Sequence, residues 1–265
     1  SVGGSVTPEA GTHVYPLGSS VTLTATPDSG WVFDHWEGDV SGQTTTVVAV
    51  VNGDITATAV FAPLLTVLVE GEGSVNPPVG SAPATYNSTV NLSATPATGW
   101  RFARWELDAS GTSAATSVVM NGPKSVKAVF VKTYSLTATA TPEAGGSVAP
   151  ASGVYDAGTQ VSVTATPADG YRFVQWEGDV VSFEPTIMVV MDADRAVNAV
   201  FVAEYDVTFL KVGDGGLYPP AGTTMTVSAG MMVMAQAYSI PGWRFDHWEG
   251  AASGTDPMVN FVVNG

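Results

Sequence analysis

Four copies of one aromatic motif divide this chain into units of about 70 residues. The motif is GWVFDHWEGD at 30–39, GWRFARWELD at 99–108, GYRFVQWEGD at 170–179 and GWRFDHWEG at 242–250, and it contains all seven tryptophans of the protein. Such a fixed period is the mark of a repeat architecture. A unit of ~70 residues is close to the smallest that folds by itself, so the sequence predicts four small domains in tandem.

Each copy surrounds the motif with the same order of short strand patterns. A GSVxP segment is followed by a variable loop and then by an alternating stretch such as VTLTATP, in which Val21, Leu23 and Ala25 share one face. After the motif come an apolar run, an Asn-Gly or Asp-Ala dipeptide and a closing strand such as ATAVF. With a leading strand such as LLTVLVE, the pattern predicts six strands per unit, and the dipeptide predicts a tight hairpin between the last two.

Taken together, GSVxP, VxLxATPxxGYxFxxWEGD, VxMxxD and AVF resemble the divergent B-repeat of bacterial internalin-type surface proteins. The resemblance implies a β-grasp-like or small β-sandwich fold, stalks or adhesive arrays at the cell surface or outside the cell, and no catalytic residues. We therefore expect an all-β, elongated tandem array of four small β-sandwich or β-grasp-like units.

The predicted units are 1–62, 63–132, 133–203 and 204–265. The first lacks the leading strand and the fourth lacks the closing strand, so we expect flanking repeats of a longer chain to complete both. The connections FAPLLT, FVKTYS and FVAEYD run from one closing phenylalanine directly into the next leading strand. Connections this short predict a semi-rigid rod.

Charge and cysteine content exclude several classes of function. Nine Lys plus Arg against 24 Asp plus Glu give a net charge of −15, and such a surface repels nucleic acid and anionic membranes. With no cysteine, the chain has no disulfide, no thiolate metal site and no thiol nucleophile. Its apolar runs are too short to span a bilayer. We expect no nucleic acid partner and no membrane insertion.

The aromatic motif contains the residue types of a binding site, but a small core is the simpler interpretation. A unit without disulfides needs large buried side chains. The predicted core phenylalanines are Phe33, Phe61, Phe102, Phe130, Phe173, Phe201 and Phe245. Because strand side chains alternate, Trp31 and Phe33 share a face, and Trp36 needs a bend or bulge to join them. The candidate partner contacts are Trp36, Glu37, Trp105, Glu106, Trp176, Glu177, Trp248 and Glu249.

The remaining polar candidates favour structural roles. The carboxylate pairs Glu37/Asp39, Glu106/Asp108 and Glu177/Asp179 could cap turns, bind Ca²⁺ or act as acid and base, and turn capping is the favoured role. Enzymes seldom carry one active site per ~70 residues, so we predict no catalysis, no metal site and no cofactor. The cluster Met231, Met232 and Met234 could form an adaptable contact surface, although filling an irregular core is the more frequent role.

These observations predict an extracellular or cell-surface structural or adhesive element that acts as a stalk or spacer. Its partners would be neighbouring repeats of a longer chain or like subunits, and a host or matrix glycan or protein is a further candidate. One alternative is a subunit of an ordered extracellular filament or sheath that packs through the threonine faces or the Met-rich fourth unit. Another is a carbohydrate- or receptor-binding module that uses tryptophan and tyrosine in loops.

Overall fold

The structure, a computed structural model, describes residues 2–264 and is built almost entirely of β-strands. A short 3-10 helix, Glu143–Gly145, is the sole helical element among them, and it is far too short to cross a bilayer. The all-β prediction is confirmed.

Most of the strands are four to eight residues long. In the first and second copies they are β1 Gly4–Thr7, β2 Ser20–Pro27, β3 Trp31–Gly38, β4 Thr46–Val50, β5 Ala57–Glu70, β6 Gly73–Asn76, β7 Gly80–Pro83, β8 Thr89–Pro96, β9 Trp100–Leu107, β10 Ala115–Val119 and β11 Lys124–Thr141. In the third and fourth copies they are β12 Gly146–Ala149, β13 Ser152–Asp156, β14 Gln160–Pro167, β15 Tyr171–Gly178, β16 Thr186–Val190, β17 Arg195–Thr208, β18 Gly216–Tyr218, β19 Thr224–Ser228, β20 Met232–Tyr238 and β21 Met258–Val262.

The chain divides into two compact units, Ser1–Thr133 and Tyr134–Gly265. In the first unit, the second copy forms two sheets, the antiparallel β6-β8-β10 and a mixed sheet in the order β7-β5-β11-β9. The core lies between them. Leu92 of β8 meets Val67 of β5, Val126 of β11 and Trp105 of β9 in one buried cluster. Alternating apolar residues on both sheets therefore produce a small sandwich, as the period-two pattern predicts.

The second unit repeats this arrangement in the third copy. Its sheets are β12-β14-β16 and, in the order β13-β11-β17-β15, a mixed sheet that takes the last residues of β11. Val163 and Val189 from the first sheet pack against Leu136 and Val197 from the second. The fourth copy has the equivalent three-stranded sheet β18-β20-β21, and β19 pairs with the last residues of β17.

Consecutive copies within a unit share a strand. The first half of β5 pairs with β3 of the first copy, and its second half pairs with β7 and β11 of the second. The amide of Leu64, near the middle of β5, donates to the carbonyl oxygen of Gly30 at 2.9 Å. In the second unit β17 has the same role, and the amide of Glu204 donates to Gly170 at 2.7 Å. The strands thus run across the predicted boundaries at 62/63 and 203/204.

Two local predictions are wrong. The apolar run and the closing strand do not form a hairpin, because β4 pairs with β2 while β5 pairs with β3, so the Asn52-Gly53 turn joins two different sheets. Neither Asn52 nor Gly53 has the positive φ that a tight hairpin turn needs. The variable loop also contains a strand in three copies, β7, β13 and β19. These strands pair at the edge of the mixed sheet, where tertiary contacts outweigh their weak sequence pattern.

Candidate functional site

A β-bulge brings the aromatic side chains of each motif together. Phe33 pairs with Phe61 and His35 pairs with Val60, so Asp34 is the extra residue that shifts the register. The bulge places the ring of Phe33 5.6 Å from that of Trp36 and 6.0 Å, edge to face, from that of Phe61. The third copy has the same shift between Phe173 and Gln175. Of the two predicted forms, a bend or a bulge, the structure has the bulge, and its effect is to put three aromatic rings into one core.

The second tryptophan of the motif is a core residue that also holds the following loop. Trp36, Trp105 and Trp176 are only 3%, 2% and 0% exposed. The amide of Trp36 donates to Gly42 at 2.8 Å, and its indole Nε1 donates to the carbonyl of Thr44 at 3.0 Å. The Nε1 of Trp105 has no acceptor. These three indoles are not accessible to a partner in the folded state.

Among the motif and closing phenylalanines, the closing residues are the most buried. Phe61, Phe130 and Phe201 lie in the cores, and Phe33, Phe102 and Phe173 are half-buried against them. The fourth copy is more open. There Phe245 and Trp248 are half-buried and line a cavity of about 790 Å³. Trp243, at the rim of this cavity, is 52% exposed. It is therefore the motif tryptophan best placed to meet a partner.

The candidate glutamates pair with the side chain two residues before them on the same face of the strand. Gln175 donates to Glu177 at 2.8 Å, and His35 Nε2 lies 3.8 Å from Glu37. The fourth copy places His247 Nε2 3.9 Å from Glu249. Residues at this motif position differ between copies, yet each has an N–H group that can donate a hydrogen bond to the glutamate. Glu37, Glu177 and Glu249 are exposed.

The second copy develops this pair into a charged network. Glu106 accepts from Arg104 Nε at 2.8 Å and lies 2.6 Å from Lys127 Nζ, which also reaches Glu70 at 2.8 Å. The bond from Lys127, and after it the bond from Arg104, lowers the pKa of Glu106. The bonds to Glu106 and Glu70 raise the pKa of Lys127. The network ties β9, β11 and β5 together on the outer face of the sheet.

The motif aspartates cap the start of the closing strand. Asp39 Oδ2 accepts from the amide of Thr56 at 2.8 Å, and its own amide donates to the carbonyl of Thr56 at 2.8 Å. Asp108 and Asp179 make the same bonds to Ser125 and Ala196. The turn-capping prediction is confirmed for these aspartates. Within residues 2–264, no group of three or more His, Asp or Glu side chains is arranged to hold a metal ion.

The methionine cluster lies on the surface, so the prediction that it fills a core is wrong. Met231, Met232 and Met234 are exposed, with Met232 at 67%. They line a groove of about 470 Å³ together with Tyr218 and Met225. The reason is strand alternation: Val233 and Ala235 take the buried face of β20, which leaves Met232 and Met234 on the outer face. The signal that would have predicted this is the alignment of the copies, in which Met234 takes the place of the outward Thr22.

Comparison with known proteins agrees with the repeat. The sequence model of the divergent InlB B-repeat domain matches residues 1–64, 64–133 and 136–204. It finds three copies, whereas the sequence pattern predicts four, and the stretch after residue 204 is the one whose motif departs from the others. A search of curated proteins gave no match. Since the matches cover well over half of its length, the chain belongs to the divergent InlB B-repeat family.

Proposed function

We propose that this chain is a spacer segment of an extracellular or cell-surface stalk. Its family consists of non-catalytic repeat domains of the bacterial surface-protein type. The observation that carries the proposal is the strand shared by consecutive copies, since β5 and β17 continue from one copy into the next without a linker. A shared strand fixes the two copies to each other, whereas a flexible linker would not.

Contacts at the junctions support a fixed connection. In the first unit, the ring of Trp31 in the first copy lies 5.6 Å from that of Tyr86 in the second. In the second unit, Arg172 of the third copy donates to Ser228 Oγ of the fourth at 2.9 Å and lies 3.4 Å from Glu204. Aromatic contact at one junction and polar contact at the other both limit rotation about the shared strand.

Electron–electron distance measurements between spin labels test the proposal. The chain has no cysteine, so Val50→Cys and Val119→Cys would label equivalent exposed positions in β4 and β10 of the first unit. Val190→Cys and Val262→Cys do the same in the second unit. We expect one narrow distance for each pair, and a broad distribution would contradict the spacer. Antibody labelling of intact cells tests the location, and labelling that requires lysis would contradict it.

A second candidate function, lateral association of like subunits, is favoured by the outer face of the fourth copy. In the first and third copies the equivalent face carries threonine pairs such as Thr24–Thr46 and Thr164–Thr186. In the fourth copy it is mainly apolar, with Gln236 and Asn260 as its polar residues, and it has no charge in a chain whose net charge is −15. The exposed apolar side chains on and beside this face are Tyr218, Met225, Met231, Met232, Met234, Tyr238, Met258 and Val262.

The size of this face fits a second copy of the chain. With ~200 Å² for a large side chain, these half-exposed residues present roughly 800 Å², which is what one partner contributes to a standard interface, about 800 Å². Two acidic chains repel elsewhere, so an uncharged face is where they can meet. Sedimentation should show a dimer that Met232→Glu with Met234→Glu abolishes. Met188→Glu, at an exposed position of the third copy's equivalent face, is the control. A monomeric parent would contradict this candidate.

A further inference from the structure

The leading and closing strands of one copy lie side by side and point in the same direction. In the second copy, residues 65–70 of β5 pair in parallel with residues 124–129 of β11. In the third copy, residues 136–141 of β11 pair in parallel with residues 195–200 of β17. Each pairing joins six residues of one strand to six of the other. The points where a copy is connected to its neighbours are therefore the outer ends of two paired strands.

The parallel pairing of the leading and closing strands determines the direction in which a pulling force loads each copy. Tension enters the second copy at the amino end of the β5 segment and leaves at the carboxyl end of the β11 segment. Because the two strands are parallel, these ends lie at opposite ends of the pair. The force then acts along the strands, and the evenly spaced ladder bonds are loaded together rather than one after another. The shared strands deliver the tension in line with this pair.

Side-chain contacts also join the two strands of each pair, through an ion pair in the second copy and hydrogen bonds in the third. In the second copy, Lys127 Nζ on β11 binds Glu70 Oε2 on β5 at 2.8 Å. In the third copy, Asn198 Oδ1 on β17 accepts from Thr139 Oγ1 and Thr141 Oγ1 on β11, each at 2.9 Å. The opposite face of each pair is closed to water, since Val67 and Val126 in one copy and Leu136 and Val197 in the other are buried. A bond shielded from water is harder to exchange for a bond to solvent.

From this geometry we infer that the second and third copies are force-bearing modules, in each of which the parallel pair of leading and closing strands forms a shear clamp against extension of the chain. The inference deepens the proposed spacer function and rests on it for its biological use. The clamp itself is a property of the fold. Resistance to force depends on the unfolding barrier rather than on equilibrium stability, so the clamp can act even if the free energy of unfolding of a ~70-residue unit is modest.

Force spectroscopy on the full chain with two attachment geometries tests the clamp. The chain has no cysteine of its own, so handles can be attached at engineered ones. Ser135→Cys with Asp206→Cys pulls the third copy from opposite ends of its parallel pair, along the strands. Ser135→Cys with Ala193→Cys pulls the same pair from its two amino ends and separates the ladder bonds one at a time. All three positions are exposed.

At equal loading rates we expect a several-fold higher unfolding force for the first geometry than for the second. Equal forces, or a lower force along the strands, would overturn the clamp. The two geometries share one attachment and the same fold, so a difference in stability cannot produce the result. If the two unfolding forces are equal, the clamp is refuted, but the narrow spin-label distances expected for the spacer are unaffected. If the junction is flexible, the spacer is refuted, but the ratio of the two unfolding forces of the third copy is unaffected. The two proposals therefore fail separately.

Discussion

Replacing Trp176 with alanine tests whether the aromatic motif belongs to the core or serves as a contact for a partner. The side chain is fully buried, and its Nε1 donates to the carbonyl of Pro185 at 3.3 Å. Burial of 150–250 Å² of an aromatic side chain at ~25 cal/mol per Å² gives an upper limit of about 4–6 kcal/mol. Measured large-to-small replacements of this kind cost about 3–5 kcal/mol. We expect Trp176→Ala to lower the free energy of unfolding of the third copy by about 4 kcal/mol.

The matched control is Trp248→Ala, at the same motif position in the more open fourth copy. Because Trp248 is only half-buried, we expect roughly half the loss or less. Hydrogen exchange of amides in β14 and β16, and in β20 and β21, measures the two copies separately within the full chain. A loss below about 1 kcal/mol for Trp176→Ala, or equal losses for both variants, would refute the assignment of the motif to the core.

Three further predictions concern the second and third copies. Gly178 has a φ of +100°, and a Cβ there would stand 2.5 Å from a backbone oxygen. Gly178→Ala should therefore cost clearly more stability in thermal unfolding than Gly158→Ala, where φ is +83° and nothing lies near; equal costs would contradict this. Asp179→Ala should cost about 1–2 kcal/mol and speed exchange of the amide that it caps, while unchanged exchange would contradict the cap. The pKa of Glu106 is lowered from 4.5 by Lys127. The ionised carboxylate therefore adds to the free energy of unfolding above pH 4.5, and this stabilisation is lost as the pH falls below that value. The acid-unfolding curve of the second copy should accordingly flatten in Glu106→Gln, and an unchanged curve would contradict the network.

Period-two alternation predicted the strands and their buried faces from sequence because side-chain direction follows from backbone geometry alone. It placed Val21, Leu23 and Ala25 on the inner face, and the structure agrees. The same rule, with the offset between Trp31 and Trp36, predicted a bend or bulge, and the structure has a bulge. Fourfold repetition then separated the aromatic framework from the variable polar positions, because each copy acts as a control for the others.

Pairing between strands could not be predicted in the same way. Asn52-Gly53 favours a hairpin locally, but β5 is 14 residues long and pairs in turn with β3, β7 and β11. Those contacts outweigh the preference of one dipeptide. Residue type favours a core for the methionine cluster, while the pattern of β20 places Met232 and Met234 outside, and Met231, just before β20, is exposed as well. The candidate partner contacts Trp36 and Glu37 differ in exposure, because the bulge turns Trp36 inward while Glu37 stays in solvent.

Hydrogen exchange at the junctions tests the central claim, that consecutive copies share a strand and are not joined by a linker. The amides of Leu64 and Glu204 lie between copies and donate to Gly30 and Gly170. If the strands are continuous, both amides should exchange as slowly as amides within β8 and β14, with protection that reports the unfolding of a whole copy. Exchange at the rate of an unstructured peptide, while β8 and β14 stay protected, would show a flexible linker and contradict the account.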